Sequence, residues 1–415
     1  MKGPGARQLS YQSGPIGSPS VVDLFAGPGG LGEGFRQAGF FIAAAVDNDE
    51  TAYQTLSLNA KQAGNLVLNE DVRKLRMSGK VDVVVGGPPC QGFSNVGIPR
   101  IRHQKLTEEG LKRVRDPRRV LWKHFVRIVG EIQPQFFVME NVPTILSFRG
   151  GQVKEEIVEA FKSVGYEAKE PVVLNAARHG VPQIRKRAFF IGNRMGLKNP
   201  VPEETNMDWE AEPQLKLGTN ALPLPDFVHV DDAISDLPPL KPGEGSDEMA
   251  YPTPGTLTPY QRWAREGSPK LYNHVARNHS DRDRGVFRAL KEGQKMSDLP
   301  ERVQAVIPYR KDIFADKIKK QSWSRPSSTI LSHMQKDGLM YVHPDSSQAR
   351  TFTPREAARL QSFPDWYRFC GPMTQQFKQI GNAVPPILAR HIAEAIKPLL
   401  SPVERPVISA SVLNV

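Results

Sequence analysis

A chain of 415 residues, 39% hydrophobic and 24% charged, can bury a large core and has the make-up of a soluble globular protein with one large and one smaller domain, or two to three units. It contains no run of about 18 apolar residues, which argues against a membrane-spanning helix. Its 2 cysteines, Cys90 and Cys370, exclude a disulfide framework and a cysteine-based metal cage, so no metal is expected. The 55 Lys and Arg against 44 Asp and Glu leave a net charge of +11, which favours a polyanionic partner through attraction and counterion release.

Residues 1–19 are rich in Gly, Ser and Pro and lack the apolar centre of a signal peptide, so they read as a flexible tail. "SVVDLFA", Ser20 to Ala26, predicts a buried strand, followed by the glycine-rich "GPGGLGEGF" and a helix. "FFIAAAVD" and "VDVVVGG" predict further strands, with helical "ETAYQTLSLNA" after the first of them. "RRVLWKHFVRIVGEI" has apolar residues at helical spacing, and "QFFVMENV" is again strand-like. Such alternation predicts an α/β fold with a mostly parallel sheet covered on both faces, here over residues 20–198. Residues 199–350 change texture: prolines are frequent, apolar runs short and basic residues scattered, which predicts a smaller, loop-rich domain. Residues 351–398, ending in the helical "PPILARHIAEAIKPLL", are expected to return to the first domain, and 399–415 to form a second tail.

Gly27, Gly29, Gly30 and Gly32 fall between a strand and a helix, where glycines permit a tight turn and let a ligand approach the backbone. Asp47 follows Gly27 by 20 residues, at the end of the next strand, where an acid can accept hydrogen bonds from ribose hydroxyls. A nicotinamide dinucleotide and S-adenosylmethionine both suit this geometry, and the loop alone does not choose between them. Asp71 in "NEDVRKL" could take an adenine amino group, or serve only as a turn acid or helix cap.

Cys90 is more telling. "VVVGGPPCQGFS" reads as a buried strand stopped by Gly86-Gly87-Pro88-Pro89, since proline donates no ladder hydrogen bond. A cysteine just past the carboxyl end of a parallel strand stands where α/β proteins form ligand sites, and its thiolate would be a nucleophile. "FFVMENV" places Glu140 and Asn141 at a second strand tip, so a parallel pairing would bring Cys90 and Glu140 to one cleft. In "HGVPQIRKRAFFIG" the period-two spacing of Gln183, Arg185 and Arg187 predicts one polar face of an extended segment.

Together these segments resemble, in order, the motif set of the DNA (cytosine-5)-methyltransferases. "DLFAGPGGLGEGF" resembles the family's cofactor loop, "GGPPCQGFS" its nucleophile motif, "MENV" its glutamate motif and "HGVPQIRKR" its Gln-x-Arg-x-Arg motif. "FTPREAARLQSFPDWY" and "QIGNAVPP" resemble its last two, so the likeness spans nearly all of residues 20–397. The combination is far more specific than any single motif.

The resemblance implies a Rossmann-like methyltransferase domain, S-adenosyl-L-methionine as cofactor, and a smaller domain that recognises double-stranded DNA. It implies that the Cys90 thiolate adds to C6 of a flipped-out cytosine, making C5 nucleophilic enough to take a methyl group. Glu140 would hold and protonate N3, Arg187 would bond O2, and Arg185 would support the cysteine motif or a phosphate. Phe25 would stack on the adenine beside the loop glycines Gly27, Gly29 and Gly30, with Asp47 on the ribose. Asp71, Pro88, Asn382 and Val384 would complete the cofactor site. Asn48 stands where family members often carry an aromatic residue, so its contact with adenine is the weakest of these assignments. Gln91, Ser94 and Gln183 would meet the DNA, and the basic segment Asn95 to Arg119 would close over the site. A monomer in the bacterial cytosol, accompanied by a cognate restriction endonuclease or other defence proteins, completes the expectation.

Overall fold

The apolar runs become strands. A computed structural model describes residues 7–10, 15, 17–60, 65–89, 120–168, 170–208, 210, 224–253, 255–308, 317–401 and 407–412. They fall into two compact units: Met1–Asn175 with Lys186–Glu203 and Ala389–Val415, and Ala176–Arg185 with Glu204–Leu388. Among the described residues, no helix is long and apolar enough to cross a membrane.

In the first unit, strand β1 (Arg7–Ser10) precedes β2 (Ser20–Leu24), helix α1 (Gly30–Gln37), β3 (Phe41–Asp47), α2 (Glu50–Asn59) and β4 (Leu66–Asn69). Then come β5 (Leu75–Lys80), β6 (Val83–Gly86), α3 (Leu121–Ile132), β7 (Phe136–Asn141), α4 (Gln152–Ser163), β8 (Val172–Asn175) and β9 (Lys186–Asn193). The central sheet has the order β4-β3-β2-β6-β7-β9-β8. Strands β2, β3, β4, β6 and β7 run parallel, as the alternation predicts, whereas β9 is antiparallel to both β7 and β8.

Every residue of β2 and β6 is buried, because helices cover both faces of the sheet. On one face Phe137 of β7 stacks on Phe161 of α4 at 3.7 Å, with Phe125 of α3 edge-on to both. Gly192 of β9 must be glycine, since a Cβ there would lie 2.3 Å from the Phe137 ring. At the amino edge of the sheet the buried Asp82 accepts hydrogen bonds from Ser20 N–H and Oγ and from Gln135, fixing the start of β2 against that of β6.

The two expected tails are corrected. Strand β12 (Val407–Val412) lies between β1 and β5 in a separate three-stranded antiparallel sheet, with Ile408 and Ala410 buried. Its alternation of apolar and small residues puts one side of the strand into the first unit's core.

The second unit contains α5 (Val230–Ile234), the antiparallel pair β10 (Gly245–Met249) and β11 (Leu271–Val275), α6 (Pro259–Arg265) between them, and α7 (Asp281–Ala289). It also holds α8 (Glu301–Gln304), α9 (Pro354–Leu360) and α10 (Met373–Asn382), and α11 (Pro386–Ile396) begins in it. The expected boundaries at 199–350 and 351–398 therefore shift. Residues 351–388 belong to the second unit because α9 brings charges that are paired inside it. Arg350 makes two 2.7 Å bonds to Glu356, Arg359 pairs with Asp365 and Asp236, and Arg355 donates to the carbonyls of Tyr272, Pro364 and Tyr367. All three arginines are fully buried.

Candidate active site

The turn after β2 is fixed by two carboxylates. Asp23 Oδ2 accepts the N–H of Gly32 at 2.9 Å, and Asp47 Oδ2 accepts that of Gly27 at 2.8 Å. Ala26 N–H adds a 3.0 Å bond to the Val46 carbonyl, which ties the turn to β3. Phe25 takes φ of 55°, uncommon for a bulky residue, and is only partly buried. Gly27 sits at φ 56°, and a Cβ added to it would meet nothing within 4 Å, so its backbone face is open. Gly29 caps α1 at φ 87°, and Gly30 begins that helix. An open glycine backbone, a partly exposed ring and the acid Asp47 beside it make a setting that fits a nucleoside-bearing cofactor.

Asp47 also accepts the Asp49 N–H at 2.8 Å, and its burial pushes its pKa up against the pull of those N–H donors. Asn48 next to it is exposed. Asp71 lies in the turn before β5, where Arg73 makes a bidentate contact at 2.5–2.8 Å and holds the carboxyl below its usual range. The carboxylate is still partly open to solvent.

Asp23 is the residue that sequence reasoning passed over. It is fully buried, its Oδ1 has no hydrogen-bond partner among the described residues, and burial pushes its pKa up to about 8. A Cβ on Gly32 would lie 3.1 Å from its Oδ2, so glycine is what lets α1 come so close. The raised pKa means that the folded protein keeps a proton which the unfolded chain releases near the ordinary value of 3.8. Stability from this group is present in full at lower pH and is lost as pH rises towards about 8. Asp23→Asn keeps an acceptor for Gly32 and cannot ionise. The variant is expected to show a flatter fall in melting temperature between about pH 4 and 8 than the parent. Parallel melting curves across that range would show that Asp23 carries no such proton.

Glu140 stands at the tip of β7, on the same sheet. β6 and β7 pair in parallel with Gly86 opposite Met139, so both strand tips reach the same edge. Asn141 Nδ2 donates to the carbonyl of the buried Pro88 at 3.2 Å, which fixes the start of the segment leading to Cys90. Glu140 faces β9: Arg187 Nε donates to its Oε1 at 2.9 Å, and both side chains remain about one-tenth exposed, at 11% and 12%. Gly87 leaves room for this carboxylate, since a Cβ there would lie 3.0 Å from Glu140 Oε2. Cys90, Gln91, Ser94 and the segment 95–119 lie outside the described residues.

Of the three polar residues expected on one strand face, only Arg187 belongs to a strand; β9 begins at Lys186. Gln183, expected to meet DNA, is fully buried and committed to the interior of the second unit. Its Nε2 donates to Leu360 O and Gln361 Oε1, and its Oε1 accepts the Ile330 N–H, so no polar group is left to read DNA. Arg185 is equally buried and donates to the carbonyls of Ile330, Gly381 and Ala383. Asn382 is exposed at the end of helix α10 and Val384 is buried; both belong to the second unit. No group of three or more His, Cys, Asp or Glu that could hold a metal ion occurs among the described residues.

Residues 20–398 match the model of the family described as C-5 cytosine-specific DNA methylase. The chain is 38% identical over 400 residues to the type II methyltransferase M.DdeI of Desulfomicrobium norvegicum, a match covering 91% of this chain and 88% of that relative. To the type II methyltransferase M.AgeI of Thalassovita gelatinovora it is 34% identical over 446 residues, covering 92% and 100%. Among solved structures, a chain assigned as a DNA modification methyltransferase encoded within an E. coli prophage is similar with a TM-score of 0.65 at 26% identity, over 92% of this chain and 99% of that one.

Proposed function

Since the chain belongs to the C-5 cytosine-specific DNA methylase family and is a DNA (cytosine-5) methyltransferase, we propose that it modifies a flipped-out cytosine through a covalent bond between Cys90 and C6. S-adenosylmethionine, when bound, supplies the methyl group as a sulfonium. The observation that carries this reading is the Glu140–Arg187 pair at the tip of β7, beside the parallel strand whose end leads through Pro88 and Pro89 to Cys90.

C5 of cytosine is a weak nucleophile. Addition of the Cys90 thiolate to C6, with a proton passing from Glu140 to N3, breaks the ring conjugation and leaves an enamine whose C5 can take a methyl group. Arg187 donates to O2 and, through Nε, holds the glutamate in place. A water then removes the C5 proton, Cys90 leaves C6, and the proton on N3 returns to Glu140. Phe25, Asp47 and Asp71 hold the adenosine, the backbone of Gly27, Gly29 and Gly30 meets the amino-acid end, and Asn48 and Pro88 line the rest. Gln91 and Ser94 contact the flipped nucleotide's backbone.

The second unit reads double-stranded DNA, where each correct bidentate base contact is worth about 1–3 kcal/mol of discrimination. The net charge of +11 supports such a partner. The type II methyltransferase relatives support a place in restriction-modification, with a cognate endonuclease; other defence proteins, a cytosolic location and a monomeric enzyme belong to the same proposal.

Bisulfite sequencing of DNA from a methylation-free bacterial host expressing the chain tests the reaction and reads the recognition sequence together. Protected cytosines in one repeated context are expected; complete conversion would overturn the reading. Cys90→Ser should lose methyl transfer yet retain DNA binding in a gel-shift assay, and full activity in that variant would exclude the covalent route.

A further inference from the structure

The turn that carries Asp71 is tied to the central sheet at its start, where β4 ends at Asn69 and Glu70 N–H donates to the Asp47 carbonyl at 3.0 Å, but its far end is held elsewhere. Lys74 N–H donates to the Asp71 carbonyl at 2.8 Å, and β5 begins at the next residue, Leu75. β5 belongs to the separate sheet β1-β12-β5, in which its sole neighbour among the described strands is β12. The pairing runs from Val412 opposite Leu75, at the end next to the turn, to Val407 opposite Lys80. Leu75, Met77, Ile408 and Ala410 are all buried and share one apolar cluster with Val72, which lies inside the turn.

Helix α3 grips the same segment from its other side. Arg127 Nη2 donates to the Val72 carbonyl at 2.8 Å, Glu131 Oε2 accepts the Met77 N–H at 3.0 Å, and Arg127 and Glu131 pair with each other. β5, which leaves the far end of the Asp71 turn, is thus clamped between α3 and β12. The helix end of the clamp uses charges, and the strand end uses an apolar seam and a backbone ladder.

The geometry points to β12 as a positioning strand for the cofactor's adenine: residues far along the chain, after the last helix, set where Asp71 stands. The inference rests on the assignment of Asp71 to the adenine amino group. It adds a contribution from Val407–Val412 to cofactor affinity, although none of those residues touches the cofactor.

Gly79 provides a sharp test. Its φ is +128°, and a Cβ there would lie 2.0 Å from the Val407 carbonyl oxygen, so Gly79→Ala should push β12 away from β5 without altering Asp71 or α3. Binding of S-adenosylhomocysteine would be measured by titration calorimetry for the full chain, Asp71→Ala, Gly79→Ala, a variant lacking residues 404–415, and Gly79→Ala combined with Asp71→Ala. Far-UV circular dichroism and melting would accompany each, and Gly79→Ala keeps the test alive if the deletion fails to fold. Both Asp71→Ala and Gly79→Ala are expected to weaken binding by about tenfold, and the double variant by little more than either alone, because they disturb one contact. Loss in Asp71→Ala with full affinity in Gly79→Ala and in the deletion would overturn the positioning role and leave Asp71 as an adenine ligand. Full additivity would also overturn it, since β12 would then act elsewhere. Unchanged affinity in Asp71→Ala would remove the assignment of Asp71 itself, and the inference with it.

Discussion

Glu140→Gln is expected to lower methyl transfer to DNA by about 10²–10⁴-fold, the range over which a positioned proton donor contributes. Glutamine keeps the volume of the side chain, so it still fits beside Gly87, where a Cβ would approach Oε2 to 3.0 Å. It has no proton of carboxylic acidity to give N3, and it loses the charge that Arg187 Nε meets at 2.9 Å. Arg187→Lys should also fall well below the parent, because an ammonium lacks the planar fork that can serve Glu140 and a base oxygen together. Single-turnover transfer of a labelled methyl group to saturating DNA would measure both, with gel-shift binding to show that the substrate still docks. A Glu140→Gln enzyme retaining more than about a tenth of the parent rate would remove Glu140 from proton transfer.

What could be read in advance depended on whether a residue's neighbours are near it in sequence. The runs Val83 to Gly86 and Phe136 to Asn141 announce buried parallel strands, because strands covered on both faces are apolar throughout. Glu140 is conspicuous for the same reason: it is a carboxylate at the end of four apolar residues. The regular spacing of Gln183, Arg185 and Arg187 misled because the strand starts only at Lys186, and the first two are pinned by residues about 145 to 198 positions away. Asp23 was hidden by its position inside a strand motif, where nothing local reveals that one carboxylate oxygen faces Gly32 and the other has no described partner. β12 was misread because six residues after a helix, with alternating serines, give a weak signal until their partner β5 is known. Nothing local to the arginines of α9 reveals that Arg359 meets Asp236, over 100 residues away.

Those arginines carry the largest expected effect on stability. Arg359→Ala should destabilise the second unit by about 3–5 kcal/mol, the cost of breaking a buried ion pair from one side. Its Nε and Nη2 donate to Asp365 at 2.8 and 2.6 Å, and its Nη1 donates to the Ala233 carbonyl and to Asp236. Asp236 would keep Arg265 at 2.6 Å, but Asp365, fully buried, would retain among the described side chains only Tyr251 at 2.6 Å and the more distant Arg355 at 3.8 Å. Burial on its own raises the Asp365 pKa; Arg359 outweighs that and keeps the carboxyl below its usual range. In the parent, the stability from this depressed group is present above the ordinary carboxyl pKa and lost only as pH falls through the lower folded value. Without Arg359 the same carboxyl should take up a proton on folding, so the gap between variant and parent should narrow from pH 7 towards about pH 4. Urea unfolding followed by fluorescence would read this, since Trp263, Trp323 and Trp366 lie in the second unit. Arg359→Met with Asp365→Asn, which leaves no unpaired charge at Asp365, should recover part of the loss. A cost below about 1 kcal/mol for Arg359→Ala, or one independent of pH, would mean that water or local rearrangement relieves Asp365 and that the pair does not hold α9 in the unit's interior.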